Sequence, residues 1–98
     1  MSTLEMREAT TRVAEGIAFL DRKMPGWRSR VDAGRIVIGD TKGFCAASQA
    51  SGGLPYGKAC VALGIGTWTA VRLGFDITAS DMLTYADLTH AWRRALAA

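Results

Sequence analysis

Tyr85-Ala86-Asp87-Leu88-Thr89-His90-Ala91-Trp92-Arg93-Arg94-Ala95-Leu96 decides the fold of this chain. Tyr85, Leu88, Trp92 and Leu96 fall at i, i+3, i+7 and i+11, so a helix stacks them along one face. Gly74-Phe75-Asp76 leads towards it, and Thr78 or Ser80, with Asp81 in the first turn, gives the expected start of a helix ending near Leu96. A face so large and aromatic requires most of the other apolar side chains as its partner. With 98 residues, 49% of them hydrophobic and 21% charged, the chain is long enough for one core and too apolar for disorder. Residues 1–98 are therefore expected to form a single globular domain.

The natural counterpart of that helix is at the other end. Leu4 to Lys23 reads as a second long helix, N-capped by Ser2 or Thr3, with Leu4, Ala9, Val13, Ile17, Leu20 and Met24 on its inner side. Glu5 and Glu8 lie in its first turns and Arg22 and Lys23 in its last, as the helix dipole favours. Gly16 in its middle costs about 1 kcal/mol relative to Ala, which points to close approach by another element such as the ring of Trp92 or Phe75. Pro25-Gly26 stops the helix, because a residue before proline is driven out of the helical region.

Between the two long helices the sequence predicts short pieces: a turn of helix pinned by Trp27 and Val31, a turn at Asp32-Ala33-Gly34, and short helices over Phe44–Ala50, Tyr56–Leu63 and Trp68–Leu73. Gly64 and Gly74 close the last two, and Thr67 caps the third. Three consecutive β-branched residues in Arg35-Ile36-Val37-Ile38-Gly39-Asp40 allow one short strand, although no partner strand is evident. The fold class expected is mainly α, two longer helices around short helices and turns.

No catalytic, cofactor or metal site is expected. Gly52-Gly53-Leu54-Pro55-Tyr56-Gly57-Lys58 has the spacing of a phosphate-binding loop, but Ala59 stands where a hydroxyl should hold magnesium, and no strand feeds the loop. Cys45 and Cys60 without a Cys-x-x-Cys pair, and with His90 as the one histidine, are too few ligands for a zinc site. A thiol–imidazole pair is conceivable on paper, yet His90 lies two residues from both Leu88 and Trp92 and so points away from the packed face. The N-terminus has no apolar signal core, so a cytoplasmic location and two free thiols are expected. The uncharged run Ala59–Val71 is too short for a bilayer, and no membrane partner is expected.

The most prominent feature outside the core is basic. Arg22, Lys23, Arg28, Arg30 and Arg35 surround Trp27, with Asp32 opposing, in a chain of net charge +3. Guanidinium groups suit phosphate and tryptophan can stack on a base, so weak nucleic-acid contact is one reading. A solvated face used by a protein partner is the other.

Leu20-Asp21, Pro25-Gly26-Trp27, Val31-Asp32, Ile36-x-Ile38-x-Asp40, Cys45, Gln49, Leu63-Gly64, Gly74-Phe75-Asp76 and Tyr85-x-x-Leu88-Thr89-x-Ala91-Trp92-Arg93 together resemble a group of small accessory proteins of actinobacterial phages. The resemblance covers residues 17–94. Cys45-Ala46-Ala47-Ser48-Gln49 departs from the Cys-Val-Leu-Gly-Gln of that group. The resemblance implies a phage gene product working in the host cytoplasm. It carries no activity and no site residue, and an interaction with a host or phage protein is the function expected.

Overall fold

A computed structural model describes residues 3–97. Five α-helices account for most of it: α1 (Thr3–Lys23), α2 (Ala46–Ala50), α3 (Tyr56–Leu63), α4 (Thr67–Arg72) and α5 (Tyr85–Ala97). Two 3₁₀ turns, Trp27–Arg30 and Ala33–Arg35, connect α1 to the middle of the chain. The expected N-cap Ser2 lies outside the described residues, and Thr3 is already helical.

α1 and α5 pack against each other as the main helix pair. Ala9, Val13, Gly16 and Leu20 of α1 and Leu88 and Trp92 of α5 are buried. Trp92 is the pivot. Its ring stacks on Phe75 with centroids 5.6 Å apart and planes 13° from parallel. Its indole N–H donates to the Gly74 carbonyl at 2.7 Å, which satisfies the polar edge of a fully buried aromatic. The short helices close the remaining sides with small residues, Ala46, Ala47 and Ala50 from α2, Ala59 from α3 and Ala70 from α4, all without exposure.

Gly16 is where this packing is tightest. A Cβ there would stand 3.0 Å from Trp92 Cζ2 and collide with the backbone carbonyl of Leu73. Gly16→Ala should therefore destabilise the protein despite the helix-propensity gain of about 1 kcal/mol, because overpacking against backbone costs about 1–3 kcal/mol. A thermal melt is the check. A midpoint equal to or above that of the parent would refute the close approach.

Three expectations need correction. First, α5 starts at Tyr85 and not near Thr78 or Ser80. Asp81 does not open a helix. Its side chain, 4% exposed, accepts from the backbone N–H groups of Thr78 and Leu83 and from the Arg12 guanidinium, and so ties down a loop. The helix is instead opened by a reciprocal cap: the Asp87 N–H donates to Thr84 Oγ1 and the Thr84 N–H donates to Asp87 Oδ2.

Second, no strand occurs among the described residues. Ile36 is extended, and Ile38 enters a turn closed by the Asp40 N–H on the Val37 carbonyl. Ile36 and Ile38 are buried and Val37 is half-exposed. The Val37 N–H donates to the Phe44 carbonyl at 3.1 Å, while α5 supplies two further partners. The Ile38 N–H donates to Thr89 Oγ1 at 2.9 Å and Arg93 Nε donates to the Ile36 carbonyl at 3.0 Å. Thr89 and Arg93 are spaced i, i+4 on α5, so one helix face and the Phe44 carbonyl together replace a neighbouring strand.

Third, the inner faces are narrower than their spacing suggests. Leu4 is 68% exposed and Tyr85 41%, while Ile17 and Leu96 are partly buried. Thr67 lies inside α4, which is capped by Gly66. Gly64 and Gly74, at φ +72° and +78°, stand beyond the ends of α3 and α4 in the left-handed conformation expected of them.

Candidate functional site

All five residues of the basic segment are exposed, but they do not converge. Arg28 sits 5.1 Å from the centroid of the Trp27 ring and pairs with Asp21 at 3.4 Å. Arg30 Nε donates to the Ala50 carbonyl at the end of α2. Arg35 stands 3.8 Å from Asp32. Arg22 faces α4 across a groove shared with Glu15 and Arg72, and Lys23 lies beside Gly64. Trp27 is buried, its indole N–H donating to Asp21 Oδ1 at 2.8 Å, so it is a core residue and offers no stacking platform. That bond, with help from Arg28, holds the Asp21 carboxyl below its usual range.

The thiols and the imidazole are likewise dispersed. Cys45 caps α2: its buried Sγ accepts from the Ser48 N–H and donates to Ser48 Oγ at 3.0 Å. Cys60 is free and partly buried on α3, and burial pushes its thiol above the ordinary value, away from nucleophilic use. His90 is exposed and lines a cleft between α1 and α5 with Met6, Thr10 and Arg94. Among the described residues no group of three or more His, Cys, Asp or Glu side chains is placed to hold a metal. No helix there is long and apolar enough to cross a membrane.

Sequence reasoning missed two surfaces. The first is centred on Trp68, which is 78% exposed, in contrast to Trp27 at 1% and Trp92 at 0%. The cause is local. α4 turns Ala70, Val71 and then Leu73 into the core, and Trp68, two residues before Ala70, is carried to the outside. The ring borders an open groove of about 390 Å³ between α4 and α1, with Glu8, Thr11, Glu15 and Arg72 along its sides. Glu8, Thr11, Glu15, Ala18 and Arg22 succeed one another on α1 at helical spacing, so the surface runs on from Trp68 past Arg72 to Arg22. The available signal was spacing, since a helix that turns Ala70 and Leu73 inward carries Trp68 outward.

The second surface is built around Asp76. Its Oδ1 accepts from the Tyr85 hydroxyl at 2.9 Å and the Ile77 N–H at 2.8 Å, and its Oδ2 from the Tyr56 hydroxyl at 3.1 Å. Both phenols are consequently raised above their ordinary values, Tyr56 chiefly by burial and Tyr85 chiefly by its bond to Asp76. The Tyr85 ring lies flat against Gly39, whose φ of +89° and missing Cβ leave room for it; a Cβ there would be 2.7 Å from the ring. Asp76 and Asp81 bind backbone N–H groups of the turns around them, and Asp87 caps α5.

The chain is thus a small, mainly α-helical protein with an exposed aromatic surface on one side and a tyrosine–aspartate cluster elsewhere. No family model matches it, and neither a curated protein nor a solved structure does.

Proposed function

We propose that this is a small accessory protein of an actinobacterial phage that works in the host cytoplasm by binding a host or phage protein, without catalysing a reaction. The resemblance of residues 17–94 to such proteins supports the phage context. The observation that carries the binding role is Trp68. A chain that buries its other two tryptophans almost completely leaves this one 78% exposed beside an open groove. Tryptophan is among the residues most enriched at the energetic hot spots of protein interfaces. The complementary partner offers an apolar socket for the indole, with a basic group facing Glu15 and an acidic one facing Arg72.

Trp68→Ser is the test. Its thermal midpoint should stay within a degree or two of the parent, because the ring makes little of the core. A partner captured from host lysate by the parent and then purified should bind the variant about 30-fold more weakly or worse, the effect of losing a 2 kcal/mol interface anchor. Equal affinity would remove Trp68 from the interface.

Nucleic-acid contact through Arg22, Lys23, Arg28, Arg30 and Arg35 is the alternative, and their common exposure favours it. Against it, Arg28, Arg30 and Arg35 already have partners within the chain. If the segment binds duplex DNA, log affinity should fall with log salt at a slope of about −3, flattened by Arg28→Ala with Arg30→Ala. Weak binding is expected, and affinity tighter than about micromolar at physiological salt would reverse the ranking.

A further inference from the structure

We infer that the cavity beside Asp76 is a receptor for an alkylammonium group. It is a cleft of about 130 Å³ lined by Tyr56, Phe75 and Tyr85 together with Asp40 and Asp76. Pockets for drug-sized ligands run to roughly 300–1,000 Å³, so this one admits a single head group. Aromatic faces carry negative potential and attract cations, most strongly where water is excluded. Carboxylates add a full counter-charge. Together these are the two elements from which proteins build ammonium sites.

Three observations show that the walls are set before any ligand arrives. Asp76 takes a hydroxyl from each of Tyr56 and Tyr85 and so fixes both phenol rings. The Tyr85 ring is seated on Gly39. Phe75 is held by its stack on Trp92. Asp40 is anchored in the same way, its Oδ2 accepting from the Lys42 and Phe44 N–H groups at 2.8 and 3.0 Å while Oδ1 keeps its lone pairs.

Charge points to the ligand. In a chain of net charge +3, neither Asp40 nor Asp76 has a cationic partner among the described residues, and no Lys or Arg lines the cavity. Calcium or magnesium does not suit the site, because each demands six or more oxygen ligands and the ring faces supply none, and the two carboxylates fall short of the three protein ligands that a zinc site needs. An organic cation does, since it presents methylene or methyl groups to the rings and its charge to the carboxylates.

The cation can come from a free small amine or from a lysine side chain on another protein. The site is separate from Trp68, so its failure would leave the reading of that surface untouched. Binding is measured on the intact chain by following backbone amide resonances of Asp40, Thr41 and Ile77 in NMR titrations. Choline and 3,3-dimethylbutan-1-ol are the decisive pair, alike in shape and differing by one charge. Choline should bind at least tenfold more tightly than the neutral alcohol, and Asp40→Asn, which keeps an acceptor for the loop N–H groups, should cancel most of that difference. Nα-acetyl-lysine methylamide and its trimethylated form give the second arm. Tighter binding of these than of choline assigns the site to a protein side chain, and the reverse order to a free amine. Equal binding of choline and the alcohol would reduce the cavity to an apolar niche and overturn the inference, as would unperturbed amides at millimolar concentrations of every probe. Because the choline–alcohol comparison uses the unaltered protein, it decides the matter even if Asp40→Asn does not fold.

Discussion

Trp92→Ala is expected to lower the stability of this protein by about 3–5 kcal/mol, the range for truncating a fully buried tryptophan. Domains of this kind have about 5–15 kcal/mol in total, so the variant should melt far below the parent or fail to fold near body temperature. Three separate contacts disappear together: the stack on Phe75, the indole bond to the Gly74 carbonyl, and the ring edge against Gly16. The carbonyl left behind is buried, which adds the penalty of an unmade hydrogen bond. Trp92→Phe separates these effects. It retains most of the apolar volume and loses the N–H donor, and should fall between the parent and Trp92→Ala in a urea titration. A midpoint for Trp92→Ala displaced by only a degree or two would show that the helix pair does not depend on this ring.

Arg12→Met is expected to have the next largest effect, about 3 kcal/mol at neutral pH, because it strips the cation from a nearly buried ion pair. Arg12 holds Asp81 with two hydrogen bonds, Nη1 to Oδ2 at 2.8 Å and Nη2 to Oδ1 at 3.0 Å, and the side chains are 14% and 4% exposed. Its Nε also donates to Glu8 at 3.0 Å. Residues 81 and 12 are far apart in sequence, so the pair fastens the loop before α5 to the middle of α1.

The same pair makes a pH prediction. The Arg12 hydrogen bonds, with smaller help from the Leu83 and Thr78 N–H groups, hold the folded-state Asp81 carboxyl below its ordinary value of 3.8. Protons therefore bind the unfolded chain first as pH falls. The stabilisation is complete above the ordinary carboxylate value and is lost as pH drops through the lower folded-state value. Asp81→Asn should be less stable than the parent at about pH 7, and the two should converge in the acid region below about pH 4. Urea unfolding at a series of pH values measures this. A stability difference that stays constant down to pH 2 would mean that the Asp81 charge contributes nothing.

Residues 85–97 carried their own structure. Their periodicity named Leu88 and Trp92 as core, and both are fully buried. The same holds for α1, for the stop at Pro25-Gly26, and for α3 with its glycine terminator, because repeat spacing, proline and left-handed glycine act over a few residues and are written locally. The close approach at Gly16 was also legible, since a glycine in mid-helix has a cost that tertiary contact must offset.

What local pattern could not determine was which distant group would satisfy each polar atom and which apolar side chain would be left over. Ile36-Val37-Ile38 has a strand's composition, yet Thr89 and Arg93 from α5 take the Ile38 N–H and the Ile36 carbonyl, and the Phe44 carbonyl takes the Val37 N–H. Nothing near residue 36 foretells the part of α5. Asp81 reads as a helix opener, but Arg12 claims it from across the chain and Thr84 with Asp87 opens the helix instead. Leu4 reads as part of the inner face of α1 yet is 68% exposed, and Trp68 is left outside at 78%. The same limit governs the candidate sites. A contiguous run of cations was visible in the sequence, but not that Arg28, Arg30 and Arg35 would each take a separate partner within the chain, Asp21, the Ala50 carbonyl and Asp32. Tyr56, Asp76 and Tyr85 are separated by 20 and 9 residues and meet only because the fold brings α3, the segment after α4, and the start of α5 to one point.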